Sequence, residues 1–516
     1  MKDPKVLLLY PPEQRWPGFM VKPNGSLAYP MLSGALKEID CHVEVYDACI
    51  GNDEDDIGEF YKSTELPSGL LRTGVSDERI LEVVKDFDVV GITSIFSSQE
   101  TMVLHCVKII KKEYPDKLLL SGGNHARWNC EKFLNHGFDI VATSEAEETI
   151  KEIIQEYRKG TKDWSHIRQI MYSQNGKTID NSLGGKVIMN LDKLPFPDWK
   201  ILPLERYWKI KRGHGVEWED EEVVKWASIQ TSLGCPFSCS YCHLSKEFEG
   251  SLSGNIGRHR IKSEDRVMEE LTHLKNNLGI KQIFIEDDAI FGRKKRAIKI
   301  LERMIDLDLR VMNINGINII HLVKKGDGEF KWEPDFKLIE LMAKAGFTDF
   351  SFPFESGNGR IIKKWASNKW DVENTNIKGL IKAFTDNNIK MHANYMIGFP
   401  DETKEEIENT IEFAKQNVEW GITTSGFFIV MPLPGTSMFD YCMEKGHLPV
   451  DYDIDRMSWR KANMINIGVK PEELEAIRDK AWEEVNSDSW KKNRRELIVA
   501  DPKALPLPKE LNMVES

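Results

Sequence analysis

Short apolar runs alternate with amphipathic stretches along most of the chain. In the first 150 residues, Val6–Tyr10, Val43–Tyr46, Asp88–Thr93, Lys117–Leu120 and Asp139–Ala142 read as five strands. Between them, Ser76–Lys85 and Thr101–Glu113 read as helices, and Ser144–Glu148 opens a third. Ser76 suits an N-cap, with Asp77 and Glu78 in the favourable first turn. Strands and helices alternating at this spacing predict a parallel, doubly wound sheet. Such sheets bind ligands beyond the carboxyl ends of their strands. Polar and glycine-rich residues gather at those ends: Pro11–Gly18, Thr93–Gln99, Gly122–His125 and Ser144–Glu148.

The alternation resumes at 225. Trp226–Ser232, Gln282–Glu286, Val311–Gly316, Asp349–Phe354, Lys390–Ile397 and Thr424–Val430 read as six strands. Ser263 caps a helix running to about Leu278, Lys337–Ala345 is another, and Thr403 with Glu406 forms a capping box. Six strand–helix units predict a partial, open (β/α)6 barrel with its chemistry at the strand carboxyl ends. The stretch 151–224 reads as a bridge. It holds a helix at Ile150–Lys159, a hairpin of Ile170–Ser173 with Lys186–Met189, a connector at Leu194–Trp199 and an acidic loop at Glu217–Glu222. Its aromatic residues Phe196, Trp199, Tyr207 and Trp208 read as interdomain core. Residues 450–516 are polar and charged, with one amphipathic helix at Pro471–Val485 and an irregular tail from Asp501. The expected layout is therefore a sheet domain at 1–150, a bridge at 151–224, a barrel at 225–440 and a helical extension at 441–516.

Composition narrows the reading. A chain of 516 residues is too long for one small core. With 70 basic and 82 acidic side chains the net charge is −12, which argues against a general nucleic-acid or anionic-membrane binder. No apolar run approaches a membrane span, and the N-terminal run is too short for a signal peptide. Eight cysteines in so long a chain do not make a disulfide framework, so a reducing, cytoplasmic setting is expected.

Three of those cysteines, Cys235, Cys239 and Cys242, follow the first strand of the second alternating region. Sulfur ligands select zinc, copper(I) or iron–sulfur clusters. A four-iron cluster is normally held by four cysteines, so three leave one iron free for a small ligand. Zinc loops favour CxxC pairs with a fourth ligand, and adjacent His243 keeps that alternative open.

The CxxxCxxC spacing with Tyr241 before the last cysteine resembles the signature of the radical S-adenosylmethionine (SAM) superfamily. Three stretches of the first region resemble the cobalamin-binding domain of one branch of it. They are Thr73–Glu78 leading to Val89–Ser94, then Ser121–Ala126, then Ser144–Glu148, where family members read Gly-Glu-Gly-Glu. The resemblance covers residues 5–440. It implies a [4Fe-4S] cluster on Cys235, Cys239 and Cys242, with SAM on its open iron. It implies SAM contacts from Tyr241, Glu286, Asp287, Glu355, Ser356, Asn394 and Gly398. It implies cobalamin contacts from Thr93, Ser94, Ser97, Gln99, Gly122, Gly123, Asn124, His125 and Glu145. Strand alternation puts His392, Asn394 and Met396 on one face of their strand and Tyr395 on the other.

Many cobalamin proteins ligate cobalt from below with a histidine in a DxHxxG loop. Neither Pro11–Gly18 nor Asp47–Cys49 offers that histidine, so a corrin without a histidine ligand is expected. Arg72, Phe96 and Ser97 are candidates for the lower face. The resemblance implies a methyltransferase in which a SAM-derived radical removes hydrogen from an unactivated carbon, which then takes a methyl from methylcobalamin. It also admits a non-methylating cyclisation, rearrangement or other SAM-fragment transfer. A non-catalytic iron–sulfur sensor or assembly protein is a reading of a different class. Expected partners are a small-molecule or peptide substrate and an external flavodoxin- or ferredoxin-like electron donor, with no nucleic acid and no membrane span.

Overall fold

The computed structural model describes residues 3–17, 25–185, 187–210 and 224–491. The acidic loop Glu217–Glu222, Gly18, Lys186 and the tail from Asp501 lie outside them. Two compact units are present. One draws on Met1–Val223 together with Glu247–Ile256; the other draws on Val224–Lys246 and Gly257–Lys492.

The first unit is built on a seven-stranded sheet. Its strands are β1 (Lys5–Tyr10), β2 (His42–Asp47), β3 (Val89–Thr93), β4 (Leu118–Gly122), β5 (Ile140–Ala142), β6 (Ile170–Gln174) and β7 (Lys177–Asn181). They lie in the order β7-β6-β5-β4-β3-β1-β2. The first five are parallel, in register Leu8 with Val45 and Gly91, and Gly91 with Leu120. The order reverses between β1 and β3, the topological switch point where doubly wound sheets take ligands. Apolar runs buried on both faces mark central parallel strands, and Val6–Leu9 are all buried. The Asp77–Val84 helix starts as its sequence predicts, with Ser76 accepting from the Arg79 N–H.

The sheet corrects one expectation. Ile170–Gln174 pairs antiparallel with Lys177–Asn181, not with the stretch at 186–189. The turn between them is Asn175-Gly176, both at positive φ (52° and 72°). An Asn-Gly pair in this conformation is the strongest short hairpin signal. The hairpin continues the sheet through β5, so the sheet does not end near residue 150: the Glu147–Lys159 helix runs across that position and two more strands follow.

The second unit carries six parallel strands in chain order: β8 (Trp226–Ile229), β9 (Gln282–Ile285), β10 (Arg310–Asn313), β11 (Phe347–Glu355), β12 (Lys390–Ile397) and β13 (Thr424–Ile429). Helices Glu264–Leu278, Lys294–Met304, Phe336–Lys344, Ile377–Asp386 and Lys404–Trp420 connect them. The capping box is present: the Glu406 N–H donates to Thr403 Oγ1 (3.2 Å) and the Thr403 N–H to Glu406 Oε2 (3.0 Å). Phe352, Phe354 and Tyr395 stack along β11 and β12, with Phe350 edge-on to Phe352. The Pro471–Val485 helix packs on β13. Asn486 completes that edge, accepting from the Ser425 N–H (2.8 Å) and donating to the Ser425 carbonyl (2.9 Å). The segment after 470 thus covers a strand edge that would otherwise be unpaired. No helix among the described residues is long and apolar enough to cross a membrane.

Candidate functional site

In the second unit the cysteine loop leaves the β8 end and is fixed by a buried carboxylate. Asp287, fully buried at the end of β9, accepts from the Thr231 N–H (2.6 Å), the Thr231 hydroxyl (2.6 Å) and the Ser232 hydroxyl. Arg296 grips the same turn through the Thr231 carbonyl (2.8 Å). Burial pushes the Asp287 carboxyl up, against those bonds. Asp287, expected as a SAM contact, holds the start of the cysteine loop through these bonds. Neighbouring Glu286 stays half-buried, with its N–H on the Ile229 carbonyl (2.9 Å). Further along, Ser240 donates through its N–H (2.9 Å) and hydroxyl (3.0 Å) to the Trp365 carbonyl. The Ser238 N–H donates to Ser367 Oγ (3.2 Å).

Cys235, Cys239 and Cys242 are free thiols. Burial pushes all three up, Cys235 to about 11. Among the described residues no three His, Cys, Asp or Glu side chains converge on a single metal ion. Three thiols on one loop are a donor set that fits an iron–sulfur cluster.

Beside the loop lies a buried ion pair that the sequence reading missed. Lys369 Nζ donates to Glu355 Oε1 (2.7 Å), and both side chains are at least 90% buried. Burial pushes the Lys369 ammonium down, but Glu355 and the sulfurs of Cys239 and Cys235 outweigh it and hold it above its usual range. Glu355, Ser367 and Asn368 all have positive φ (64°, 57° and 49°), a left-handed backbone that non-glycine residues seldom adopt. Such strain gathers at functional sites. Nothing in the sequence marks Lys369, because its neighbours Ser367 and Asn368 read as an ordinary turn. The Tyr241 hydroxyl is buried beside Glu355 and Cys239, and burial together with those groups pushes it well above its usual range. Its ring packs against Phe399.

The strand ends β11 to β13 divide. Ser356 is buried and spent on the chain, bonding Thr410 Oγ1 (3.1 Å) and accepting from the Asn358 N–H (3.1 Å). Gly398 (φ +82°) is required by packing, since a Cβ there would lie 2.5 Å from Leu474 Cδ2. Its N–H and that of Phe399 donate to Glu402 Oε2 (2.6 and 3.1 Å). Glu402, absent from the sequence reading, is buried, and its other oxygen has no partner. Burial pushes its carboxyl up to about 8. On β12 the alternation is as predicted: His392, Asn394 and Met396 are half-open and Tyr395 is buried. Asn394 Nδ2 donates weakly to Ser351 Oγ (3.3 Å).

In the first unit the expected cobalamin residues sit at the ends of β3, β4 and β5. Thr93 and Ser94 are buried. The Ser94 carbonyl accepts from the His125 and Ala126 N–H groups (3.0 and 3.2 Å). Gly123 (φ +104°) is needed by that approach, because a Cβ would lie 2.6 Å from the Ser94 oxygen. Gly122 is under no such demand: a Cβ there meets only Ala142 Cβ at 3.6 Å. Ser94 Oγ, Gln99 Nε2, Asn124 Oδ1 and Thr143 Oγ1 are buried polar atoms without partners. Buried polar groups are nearly always bonded, so four orphans at adjoining strand ends fit a polar ligand. Thr143, missed in the sequence, sits directly between the β5 end and Ser144. His125 is different, with both ring nitrogens engaged by Ser97 (3.0 Å) and Glu100 (2.8 Å). Glu145 is half-buried. Phe96 is exposed, and Arg72 is committed to the Val75 carbonyl (2.8 Å) and Asp77 (3.0 Å).

With this geometry in view, residues 229–414 match the model of the radical SAM superfamily. The chain is 30% identical over 393 residues to the uncharacterized methyltransferase PH0819 of Pyrococcus horikoshii, covering 75% of each. It is 26% identical over 495 residues to the cytidylyl-2-hydroxyethylphosphonate methyltransferase of Streptomyces wedmorensis, covering 90% of this chain and 86% of that one. Two solved structures share the fold. TsrM from Kitasatospora setae, solved with cobalamin and a [4Fe-4S] cluster, superposes with a TM-score of 0.63 at 15% identity, over 87% of this chain and 80% of that one. OxsB, solved with aqua-cobalamin and SAM, gives 0.68 at 14% identity, over 97% and 71%. The chain belongs to the same family as the methyltransferase PH0819 and carries a radical SAM domain, and its fold is that of TsrM and OxsB.

Proposed function

We propose that this protein transfers a methyl group to an unactivated carbon, using a [4Fe-4S] cluster, SAM and cobalamin. The observation that carries the reading is the trio of free cysteines on one loop, held by the Asp287 turn. When bound, the cluster supplies one-electron cleavage of SAM and the cobalamin supplies a transferable methyl. The chain's own part is binding and positioning, since cofactors carry the hard chemistry. Thiolates of Cys235, Cys239 and Cys242 would hold the cluster. Tyr241 and Asn394 offer polar contacts to SAM, and the carboxylate of Glu355 suits its ammonium group. In the first unit Ser94, Gln99, Asn124 and Thr143 hold the polar periphery of cobalamin, and Gly122 admits its close approach. The second sheet is read as a partial barrel. The substrate is a small molecule or a peptide side chain, and a flavodoxin- or ferredoxin-like donor supplies the electron.

The test is incubation of reconstituted protein with reductant, cobalamin, methyl-labelled SAM and candidate metabolite extracts. Label in a carbon-bound methyl of the product, with 5′-deoxyadenosine formed alongside, is the expected result. A cyclisation or rearrangement remains the rival, because the chain is also 22% identical over 415 residues to the anaerobic magnesium-protoporphyrin IX monomethyl ester cyclase of Rubrivivax gelatinosus. An unlabelled product formed with 5′-deoxyadenosine would decide for that rival.

A further inference from the structure

One stretch of the first unit comes from far along the chain. Glu247–Ile256 groups with Met1–Val223, while the residues on either side of it belong to the second unit. It has neither helix nor strand. Its turns are closed by the Ser251 N–H on the Phe248 carbonyl (3.0 Å) and the Gly254 N–H on the Ser251 carbonyl (3.0 Å). A segment with so few backbone bonds owes its order to its side-chain anchors. Two anchors hold this one. Arg127 Nη1 donates to Glu247 Oε1 (2.6 Å), with the two side chains 11% and 2% exposed. Ser144 Oγ donates to the carbonyl of Ser253 (2.8 Å), a fully buried residue. Gln169 Nε2 donates to the same Ser144 hydroxyl (3.1 Å). Between the anchors Phe248, Glu249 and Gly250 are exposed.

Both anchors adjoin unpaired polar atoms. Arg127 lies on the short helix Asn124–Trp128, where Asn124 Oδ1 and Arg127 Nε are buried without partners. Ser144 directly follows Thr143, whose Oγ1 is likewise unpaired. The residues that hold the stretch are thus chain neighbours of the residues with spare hydrogen-bonding atoms, after β4 and after β5. A buried ion pair adds little net stability, yet losing one partner is costly, so the pair fixes one arrangement. Both ends of the stretch lead to the cysteine loop. It starts five residues after Cys242, and the residue that follows it, Gly257, accepts at its carbonyl from the Cys235 N–H (3.1 Å).

We propose that Glu247–Ile256 is a strap forming one wall of the ligand site at the ends of β4 and β5, with Arg127 and Ser144 as the positioning residues that seat it. The proposal rests on the reading that this unit binds cobalamin. A ligand that packs against the seated strap favours that form over a loose one. Chain continuity carries the order to the cysteine loop, which the strap bounds on both sides. Filling the cobalamin site therefore steadies the loop that holds the cluster.

The test is amide hydrogen exchange, read by mass spectrometry on the full chain bearing its reconstituted cluster, with and without aquacobalamin. Bound cobalamin should slow exchange across 247–256 by about tenfold and across 235–242 by less, leaving the Glu264–Leu278 helix unchanged. Glu247→Gln keeps the shape of the anchor without its charge, and Ser144→Ala removes a single hydroxyl. Each should speed exchange of the strap, lose most of the slowing and weaken cobalamin binding. Ser144→Ala decides alone if Glu247→Gln does not fold. Unchanged exchange at 247–256 with cobalamin bound overturns the proposal. So does slowing that is as large in the variants as in wild type, or that extends equally to the Glu264–Leu278 helix. Wild-type protein that takes up no cobalamin, read by absorbance during reconstitution, overturns the underlying reading and this proposal with it.

Discussion

The two sheets end in similar polar residues but use them in opposite ways. In the second unit Asp287 and Ser356 turn back onto the chain and are fully bonded. In the first unit Ser94, Gln99, Asn124 and Thr143 keep buried atoms that bond nothing. Leaving a buried polar atom unpaired costs about 1–3 kcal/mol. The second unit has such atoms too, Asn313 Oδ1 and Glu402 Oε1, but Asp287 and Ser356 are satisfied, whereas on the proposed function the four atoms of the first unit await a ligand. Substitutions at the two kinds of end should separate stability from binding.

The largest effect is expected at the cysteines. Cys239→Ala removes one of three cluster ligands, and bound iron and 5′-deoxyadenosine formation should both fall to background. Iron assay and product chromatography check this, and unchanged iron would break the assignment of the loop. Next is Asp287→Ala, which strands two hydroxyls and one N–H in the interior. Unfolding in urea should show a loss of about 3 kcal/mol or more. Cobalamin uptake by protein that remains folded should be unchanged, because Asp287 belongs to the other unit.

These contrasts explain what was legible in the chain. The strands were, because apolar runs at regular spacing dictate buried parallel sheets. The cysteine trio was, because its spacing is local in sequence. The β6–β7 hairpin was missed although Asn175-Gly176 announced it, because the bridge was read from its prolines and aromatics. The inward turn of Asp287 and Ser356 was not legible, because it depends on Thr231 and Thr410, each more than 50 residues away in sequence. Lys369 was invisible because no local pattern marks it, although its partner Glu355 lies only 14 residues earlier. Glu100 looks like an ordinary helix residue until His125 joins it.

A smaller, pH-dependent effect tests Glu402, which shares features of both kinds of end. One of its oxygens is bonded by two N–H groups and the other has no partner. Its carboxyl is raised to about 8 in the folded chain by burial, against about 4.3 for an ordinary glutamate. Below the ordinary value both folded and unfolded chains are protonated, and the stabilising contribution is complete. As pH rises toward 8 the unfolded chain releases a proton that the folded chain keeps, so stability should fall by about 1.4 kcal/mol per unit. Glu402→Gln should flatten this slope between about pH 5 and 8. Denaturant midpoints across that range read the difference, and parallel wild-type and variant curves would place the proton elsewhere.

The subtlest test lies at the orphaned hydroxyls. Ser94→Ala and Thr143→Val each remove a buried oxygen that the chain itself does not use. Unlike Asp287→Ala, they leave no donor stranded, so the cofactor-free protein should be as stable as wild type or slightly more so. If these oxygens bond cobalamin, each loss should weaken its binding by about 1 kcal/mol, roughly fivefold. The two sites lie at the ends of different strands, so the double variant should show nearly the sum. Titration of cobalamin by absorbance measures the affinity, and urea unfolding of the same proteins measures the stability. A loss of stability without loss of affinity would make these strand ends scaffold after all, and the difference between the two sheets would vanish.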